Sequence, residues 1–132
     1  MTYFLDTNIC IFHLNGSAPG LSDILEHTQP SSIAIPSMVA AELMYGAEKS
    51  AKRESNLEKI GLLLSLYDIV SFDLSAAQIY GAIRRDLEYR GQIIGGNDLI
   101  IAATVLAHKG TLVTNNTGEF SRVRGLLLED WA

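Results

Sequence analysis

The sequence predicts an α/β domain built on a central, mostly parallel β-sheet of four to five strands, with helices on both of its faces. Short apolar runs that suit strands alternate along the chain with longer segments whose apolar residues recur at helical spacing. An apolar content of 48% over 132 residues is enough for one core, and no linker or internal repeat divides it. We therefore expect a single domain over residues 1–132, with ligands bound at the carboxyl ends of the strands.

Composition excludes several classes of protein. No apolar run reaches the roughly 18 residues of a membrane helix, and a strand pattern stands where a secretory signal would begin, so we expect a soluble, cytoplasmic protein without membrane contact. A single cysteine, Cys10, provides no disulfide framework, and we expect it in the core. The formal net charge of −5 argues against a protein that only coats nucleic acid, because binding phosphate normally needs an excess of basic residues. Carboxylates that bind cations would also make the net charge negative, so the sign alone decides little.

The first half of the chain predicts two strands and four helices. The apolar run before Asp6 suits a strand, and the helix after it ends at Asn15-Gly16. Pro36 closes the second strand, and Ser37 stands where it would cap the third helix. The fourth helix separates apolar from charged residues, as a helix packed on a core does. In order, the predicted elements are strand Thr2–Leu5, helix Ile9–Leu14, helix Leu21–Leu25, strand Ser32–Ile35, helix Met38–Ala51 and helix Arg53–Leu66.

The second half predicts three strands and two helices. Ser75 and Gln78 have the spacing of a capping box, and Gly91 ends the helix that they begin. The next helix follows Gly95-Gly96, carries Asp98 at its start and is otherwise apolar almost to its end, so we expect it to be buried. In order, the predicted elements are strand Ile69–Phe72, helix Ser75–Arg90, helix Asn97–His108, strand Thr111–Thr114 and strand Leu126–Leu128.

Three acids lie in unusually apolar stretches of the sequence: Asp6, Glu42 and Asp98. Glu42 lies in the middle of a predicted helix and has no basic residue three or four positions away to pair with it. Three carboxylates gathered from distant points of the chain would repel one another unless a cation lay among them. The sequence therefore predicts a metal site, and the lack of nearby histidine or cysteine ligands favours Mg²⁺.

Each acid also has a simpler interpretation. Asp6 could cap the helix that follows it, and Asp98 could favour its helix through the dipole alone. A basic residue from elsewhere in the fold could pair with Glu42.

The three histidines share no metal-like spacing. The basic residues form small groups that suit solvated surfaces, although they could also supply phosphate contacts around an acidic pocket. These groups are Lys49 with Lys52-Arg53, Arg84-Arg85 with Arg90, and Arg122 with Arg124.

Four stretches of the chain form an ordered set of motifs: Leu5–Asn8, Ala41–Ala47, Ile94–Ala103 and Leu112–Phe120. Together they resemble the motif set of PIN-domain ribonucleases, and most closely that of VapC toxins from bacterial type II toxin–antitoxin (VapBC) modules. The resemblance extends over essentially the whole chain. It implies a three-layer α/β/α sandwich, RNA cleavage that depends on Mg²⁺ or Mn²⁺, and inhibition by a VapB-type antitoxin. It also implies a homodimer within the complex, and tRNA as the commoner kind of target among toxins with such motifs.

By position, Asp6, Glu42 and Asp98 match the three principal acids of the family, which bind metal and carry catalysis. Many relatives have a fourth acid where this chain has Asn116, and Glu119 follows one helical turn later. The sequence leaves open which of these two regions completes the site, and whether one or two ions bind. The uncharged groups expected to support the carboxylates or a phosphate by hydrogen bonds are Thr7, Asn8, Thr114, Asn115 and Asn116.

The expected reaction is hydrolysis of an RNA phosphodiester by metal-activated water. One alternative is a catalytically silent module with the same fold. Another is a receiver-like phosphoacceptor domain, which needs adjacent acids near its first strand and a lysine after its last, whereas this chain has Asp6 alone and Lys109 before the fourth strand.

The one-sided helices near Leu21–Leu25 and Leu57–Leu64 either form a groove for the antitoxin or pack into the core.

Overall fold

The computed structural model describes residues 1–132 and has a five-stranded sheet between two layers of helices. The strands are β1 (Tyr3–Leu5), β2 (Ile33–Pro36), β3 (Asp68–Val70), β4 (Thr111–Val113) and β5 (Leu127–Glu129). The helices are α1 (Thr7–Asn15), α2 (Pro19–Glu26), α3 (Ser37–Glu48), α4 (Arg53–Leu66), α5 (Leu74–Tyr89), α6 (Gly96–Ala107) and α7 (Thr117–Phe120). A single 3₁₀ turn, Pro30–Ser32, precedes β2.

The strand order, β3-β2-β1-β4-β5, determines where a ligand can bind. All neighbouring strands are parallel, and β1 pairs with β2 on one side and with β4 on the other. Right-handed crossovers place α1 to α4 over one face of the sheet and α5 to α7 over the other. The winding direction changes between β1 and β4, so a crevice opens beyond the carboxyl ends of these two strands. The α/β/α architecture expected from the sequence is confirmed.

The core is formed by the central strands and by the inner faces of the helices. Every residue of β2 and β4 is buried, which explains why these strands have continuous apolar runs. The predicted burial of α6 is confirmed, since half of its residues are buried, and Cys10 is buried as expected. The edge strands are more open, as Ile69 in β3 and Leu127 in β5 show. No helix combines the length and the apolar character that crossing a bilayer requires.

Two predicted helix caps are wrong. α5 begins at Leu74, and the cap is Asp73, whose carboxylate accepts a hydrogen bond from the Ala76 amide at 2.9 Å. Asp73 satisfies a free amide of the first turn, which leaves no role for the predicted box of Ser75 and Gln78. Ser37 is the first residue of α3, and its hydroxyl accepts from the amide of Phe72 at 3.3 Å.

The boundaries of the third strand and the segment after β4 also differ from the prediction. β3 covers Asp68–Val70, because its pairing partner β2 ends at Pro36, opposite Val70. After β4 the chain forms the short helix α7, which the sequence did not predict because four residues carry no periodic signal. This helix buries Phe120 and presents Glu119 toward the crevice beyond β1 and β4.

Candidate functional site

The three predicted acids converge at the crevice, and Glu119 joins them. Asp6 directly follows β1, Asp98 lies in the first turn of α6, and Glu42 lies in the middle of α3. Their proximity is visible in the electrostatics, because the negative charges of Glu119, Asp6 and Glu42 all raise the pKa of Asp98. We call Asp6, Glu42, Asp98 and Glu119 the acidic centre.

Asp6 is held where β1 and β4 run side by side. Its amide donates to the Val113 carbonyl at 3.0 Å. Its carboxylate accepts from the Thr7 amide at 2.8 Å and from the Thr114 hydroxyl at 2.7 Å. Burial raises the pKa of Asp6, the two hydrogen bonds oppose the rise, and the charges of Glu42 and Glu119 add to it. Asp6 therefore caps α1 and also belongs to the acidic centre.

Glu42 reaches the crevice from α3 and is half-buried. One carboxylate oxygen accepts from the Thr7 hydroxyl at 2.6 Å, and the other lies 3.4 Å from the side-chain amide of Asn97. None of the ion pairs in the structure includes Glu42, so the alternative of a basic partner from elsewhere in the fold is wrong. The sequence did not assign a role to Asn97, although its position beside Asp98 was a usable signal.

Asp98 and Glu119 form a carboxyl pair that shares a hydrogen bond. Glu119 also accepts from the Gly95 amide at 3.1 Å and from the Asn116 side chain at 2.9 Å, and these bonds lower its pKa. Burial and the neighbouring charges raise the pKa of Asp98 to about 7. Asp98 is therefore the carboxyl of the pair that takes up a proton more readily, because Glu119 already receives two hydrogen bonds from donors that favour its charged form.

The supporting residues expected from the sequence divide into two groups. The Thr7 hydroxyl donates to Glu42, and the Thr114 hydroxyl donates to Asp6. The side chain of Asn116 donates to Glu119, and its backbone amide donates to the Thr114 hydroxyl at 3.0 Å. By contrast, Asn8 and Asn115 are exposed at the surface of the crevice region, and neither side chain has a hydrogen-bond partner.

The acidic centre fits a hard divalent cation by its chemistry. It offers carboxylate oxygens without histidine or cysteine, which is the donor set that Mg²⁺ and Mn²⁺ prefer, and no lysine or arginine pairs with its acids. No three of these side chains converge on one point in the present arrangement. Binding of an ion would therefore move at least one carboxylate, and would compete with protonation of Asp98.

An apolar groove of about 350 Å³ runs from Glu42 between α1, α3 and α4. The apolar residues that line it are Ile11, Leu14, Leu43, Ala47 and Ile60, and the remaining lining residues are Asn15, Glu42, Gly46, Asn56 and Lys59. Of the two segments considered for a groove, Leu21 and Leu25 are buried in the core, whereas the Leu57–Leu64 helix contributes one wall.

Comparison with known proteins gives a consistent result along the whole chain. The model of the PIN domain family matches residues 3–126. Ribonuclease VapC2 of Rickettsia felis is 45% identical over 132 residues, a match that covers 99% of this chain and 98% of the relative. The tRNA(fMet)-specific endonuclease VapC of Shigella flexneri is 39% identical, and the match covers 100% of this chain and 99% of the relative.

Solved structures give the same result. A chain in the crystal structure of VapBC2 from Rickettsia felis bound to a DNA fragment from their promoter superposes with a TM-score of 0.94 at 43% identity, with 100% of both chains covered. A chain in the crystal structure of DNA-bound VapBC from Salmonella typhimurium superposes with a TM-score of 0.95 at 34% identity, covering 100% of this chain and 99% of that one.

Proposed function

The chain belongs to the PIN domain family, and because relatives that match its full length are VapC ribonucleases, we propose that it is the endoribonuclease toxin of a VapBC module. We take residues 1–132 as one catalytic domain. The observation that carries the proposal is the acidic centre itself, in which four acids line the crevice at the sheet switch point and none forms an ion pair with a basic residue. Such a centre suits metal-dependent hydrolysis of a phosphodiester.

We assign catalysis and metal binding to Asp6, Glu42 and Asp98, with Glu119 as a fourth ligand. Bound Mg²⁺ or Mn²⁺ would supply an activated water and offset charge that develops on the phosphate. Thr114 and Thr7 hold the Asp6 carboxylate, and Thr7 also fixes one oxygen of Glu42. These donors keep the carboxylate oxygens directed into the crevice, so that less reorganisation is needed when the substrate arrives.

The substrate of this chain is proposed to be RNA, and tRNA in particular. Hydrolysis by water needs no 2′-hydroxyl, so the preference for RNA must come from recognition of its shape and of single-stranded loops. The name of the Shigella flexneri relative specifies tRNA(fMet), which supports a tRNA target for this chain.

The proposed protein partner is a VapB-type antitoxin, since solved structures similar to this chain along its full length are VapBC complexes. We propose that the antitoxin covers the apolar groove that begins at Glu42. A segment seated there would bury the exposed apolar surface of Ile11 and would also reach the mouth of the acidic centre. We further propose that the complex contains a homodimer of this chain.

The proposal is tested by comparing wild type with Asp6→Ala. Purified wild type should cleave tRNA when Mg²⁺ is added, and Asp6→Ala should lose about 100-fold or more of the rate because a buried metal ligand is removed. Asp23→Ala is a matched control, because Asp23 is an exposed acid on α2. Sequencing of RNA 5′ ends after brief expression gives the cleaved bond. Cleavage by Asp6→Ala at the wild-type rate, or a wild type that cuts no RNA, would refute the proposal.

A further inference from the structure

Two arginines contact Asp86 near the end of α5, and a third, Arg122, lies beside them. Arg90 donates to Asp86 through Nε at 3.0 Å and Nη2 at 2.7 Å, and Nη2 also donates to the carbonyl of Arg122 at 2.6 Å. Nε of Arg124 lies 3.6 Å from the same oxygen of Asp86. We call Arg90, Arg122 and Arg124 the arginine cluster. Asp86 offsets only one of the three positive charges of the arginine cluster. The cluster is therefore locally positive on a chain whose formal net charge is −5.

The arginine cluster borders the acidic centre. Nη1 of Arg122 donates to the carbonyl of Ile93 at 2.8 Å, and two residues further along the same loop the Gly95 amide donates to Glu119. Arg122 follows Glu119 by one helical turn. A chain of direct contacts therefore joins the arginines to the carboxylates.

The other paired arginines are neutralised locally. Both guanidinium contacts of Arg53 are to Glu48, and Arg84 contacts Glu88 and the hydroxyl of Tyr80. Arg124 is different, because 72% of its side chain is exposed and its one acidic contact is the long one to Asp86. Its guanidinium therefore has free donors directed to solvent.

We propose that the arginine cluster binds backbone phosphates of the RNA next to the scissile bond, an inference that rests on the proposed function. The acidic centre repels a polyanion, so productive binding needs compensating cations at its rim. Guanidinium groups suit phosphate because their donors match its oxygens in pairs. The cluster lies on the α5 and α7 side of the crevice, whereas the groove proposed for the antitoxin lies on the α1, α3 and α4 side. This separation favours RNA over the antitoxin as the ligand.

Arg124→Gln is the direct test, because Arg90 and Arg122 also support the backbone. We expect the KM for a 5′-labelled tRNA anticodon stem-loop to rise about three- to tenfold with kcat within about twofold of wild type. The slope of log kcat/KM against log salt should become shallower by about one. Arg124→Lys should restore most of the salt dependence. Arg84→Gln is the matched control, since it removes the same charge from α5 away from the cluster.

Several results would overturn the inference. Arg124→Gln and Arg84→Gln could have the same KM and the same salt slope, or Arg124→Gln could weaken the antitoxin complex and leave the KM for RNA unchanged. Fluorescence anisotropy of the labelled stem-loop without added metal measures binding separately from cleavage. A wild type that binds the RNA more tightly than Arg124→Gln but does not cut it would refute the proposed nuclease and support the arginine cluster.

Discussion

At the scale of single residues, the charge state of Asp98 links pH to metal binding. Its folded-state pKa of about 7 exceeds the ordinary value, so the folded protein without metal holds a proton that the unfolded chain releases near pH 4. The stability of the metal-free protein therefore falls as pH rises from about 4 through about 7. Above that range the repulsion among the acids is greatest, and a cation relieves it most.

We predict that Mg²⁺ raises the Tm more at pH 8 than at pH 5.5, where protons compete for the carboxylates. At tenfold excess over Kd the stabilisation is about 1.4 kcal/mol, or roughly 3 to 5 °C. Differential scanning fluorimetry with and without Mg²⁺ measures it. Asp98→Asn should abolish most of the shift and raise the Tm of the metal-free protein at pH 8. Equal Mg²⁺ shifts at the two pH values would contradict the assignment.

Thr114→Val tests the hydrogen bond that holds Asp6. The substitution keeps the shape of a fully buried side chain but removes the hydroxyl that donates to Asp6 and accepts from the Asn116 amide. We expect metal affinity to fall about 10- to 100-fold, measured by calorimetry. Thr104→Val is the control, since this equally buried hydroxyl donates only to the Ile100 carbonyl of its own helix. Similar metal affinities in the two variants would exclude a positioning role for Thr114.

The sequence could identify Asp6, Glu42 and Asp98 because each acid interrupts an apolar stretch, which local composition reveals. It could not reveal that Asn97 lies near Glu42, or that the Gly95 amide and Asn116 orient Glu119, because these contacts join segments that only the folded loops bring together. It therefore left the fourth acidic position open between Asn116 and Glu119. The structure brings Glu119 into contact with Asp98.

At the scale of elements, the connection from α6 to β4 depends on a glycine. A Cβ on Gly110 would overlap the ring of Phe4 in β1 and approach the Thr2 carbonyl oxygen at 3.0 Å. We predict that Gly110→Ala lowers the free energy of unfolding by about 1–3 kcal/mol, because Phe4 is buried and cannot move freely.

Gly81→Ala is the matched substitution and should have the opposite effect. Gly81 lies within α5 with open space around its Cα, so a methyl group there removes only the conformational freedom of the unfolded chain. An increase of about 0.5–1 kcal/mol is expected. Urea unfolding of both variants measures the two changes. A Gly110→Ala protein as stable as wild type would show that β1 and β4 adjust more readily than their packing implies.

The elements that the sequence predicted well are those whose burial is uniform along their length. β2 and β4 are buried throughout and α6 is buried along its middle, and continuous apolar runs identify them. The ends of elements depend on single polar contacts instead. Asp73 and Ser75 are both acceptable caps in the sequence, and the observed bond from Ala76 to Asp73 decides between them.

At the scale of the whole molecule, two surfaces of different chemistry flank the acidic centre. The apolar groove proposed for the antitoxin lies on one side, and the arginine cluster proposed for RNA lies on the other. Substitutions in the groove should therefore leave RNA binding largely unchanged, and substitutions in the arginine cluster should leave antitoxin binding largely unchanged.

We predict that Gly46→Leu weakens antitoxin binding at least tenfold with little change in RNA cleavage. Gly46 lines the groove, and a Cβ at this position meets no neighbouring atom within 4 Å, so a leucine side chain begins in open space and takes up room in the groove. Titration of the antitoxin in a cleavage assay measures the effect. Gly81→Leu serves as the control, because it adds the same side chain to the distant helix α5. Unchanged inhibition of Gly46→Leu would place the antitoxin elsewhere.

The position of β4 beside β1 has a consequence for synthesis of the protein on the ribosome. Asp6 precedes its buried partner Thr114 by 108 residues, and the carboxylate of Glu119 is translated later still. A nascent chain that stops before residue 111 lacks a central strand and leaves Asp6 without its hydroxyl donor. We therefore expect the proposed nuclease to become active only after that segment has been translated, and a chain truncated before residue 111 to cleave no RNA.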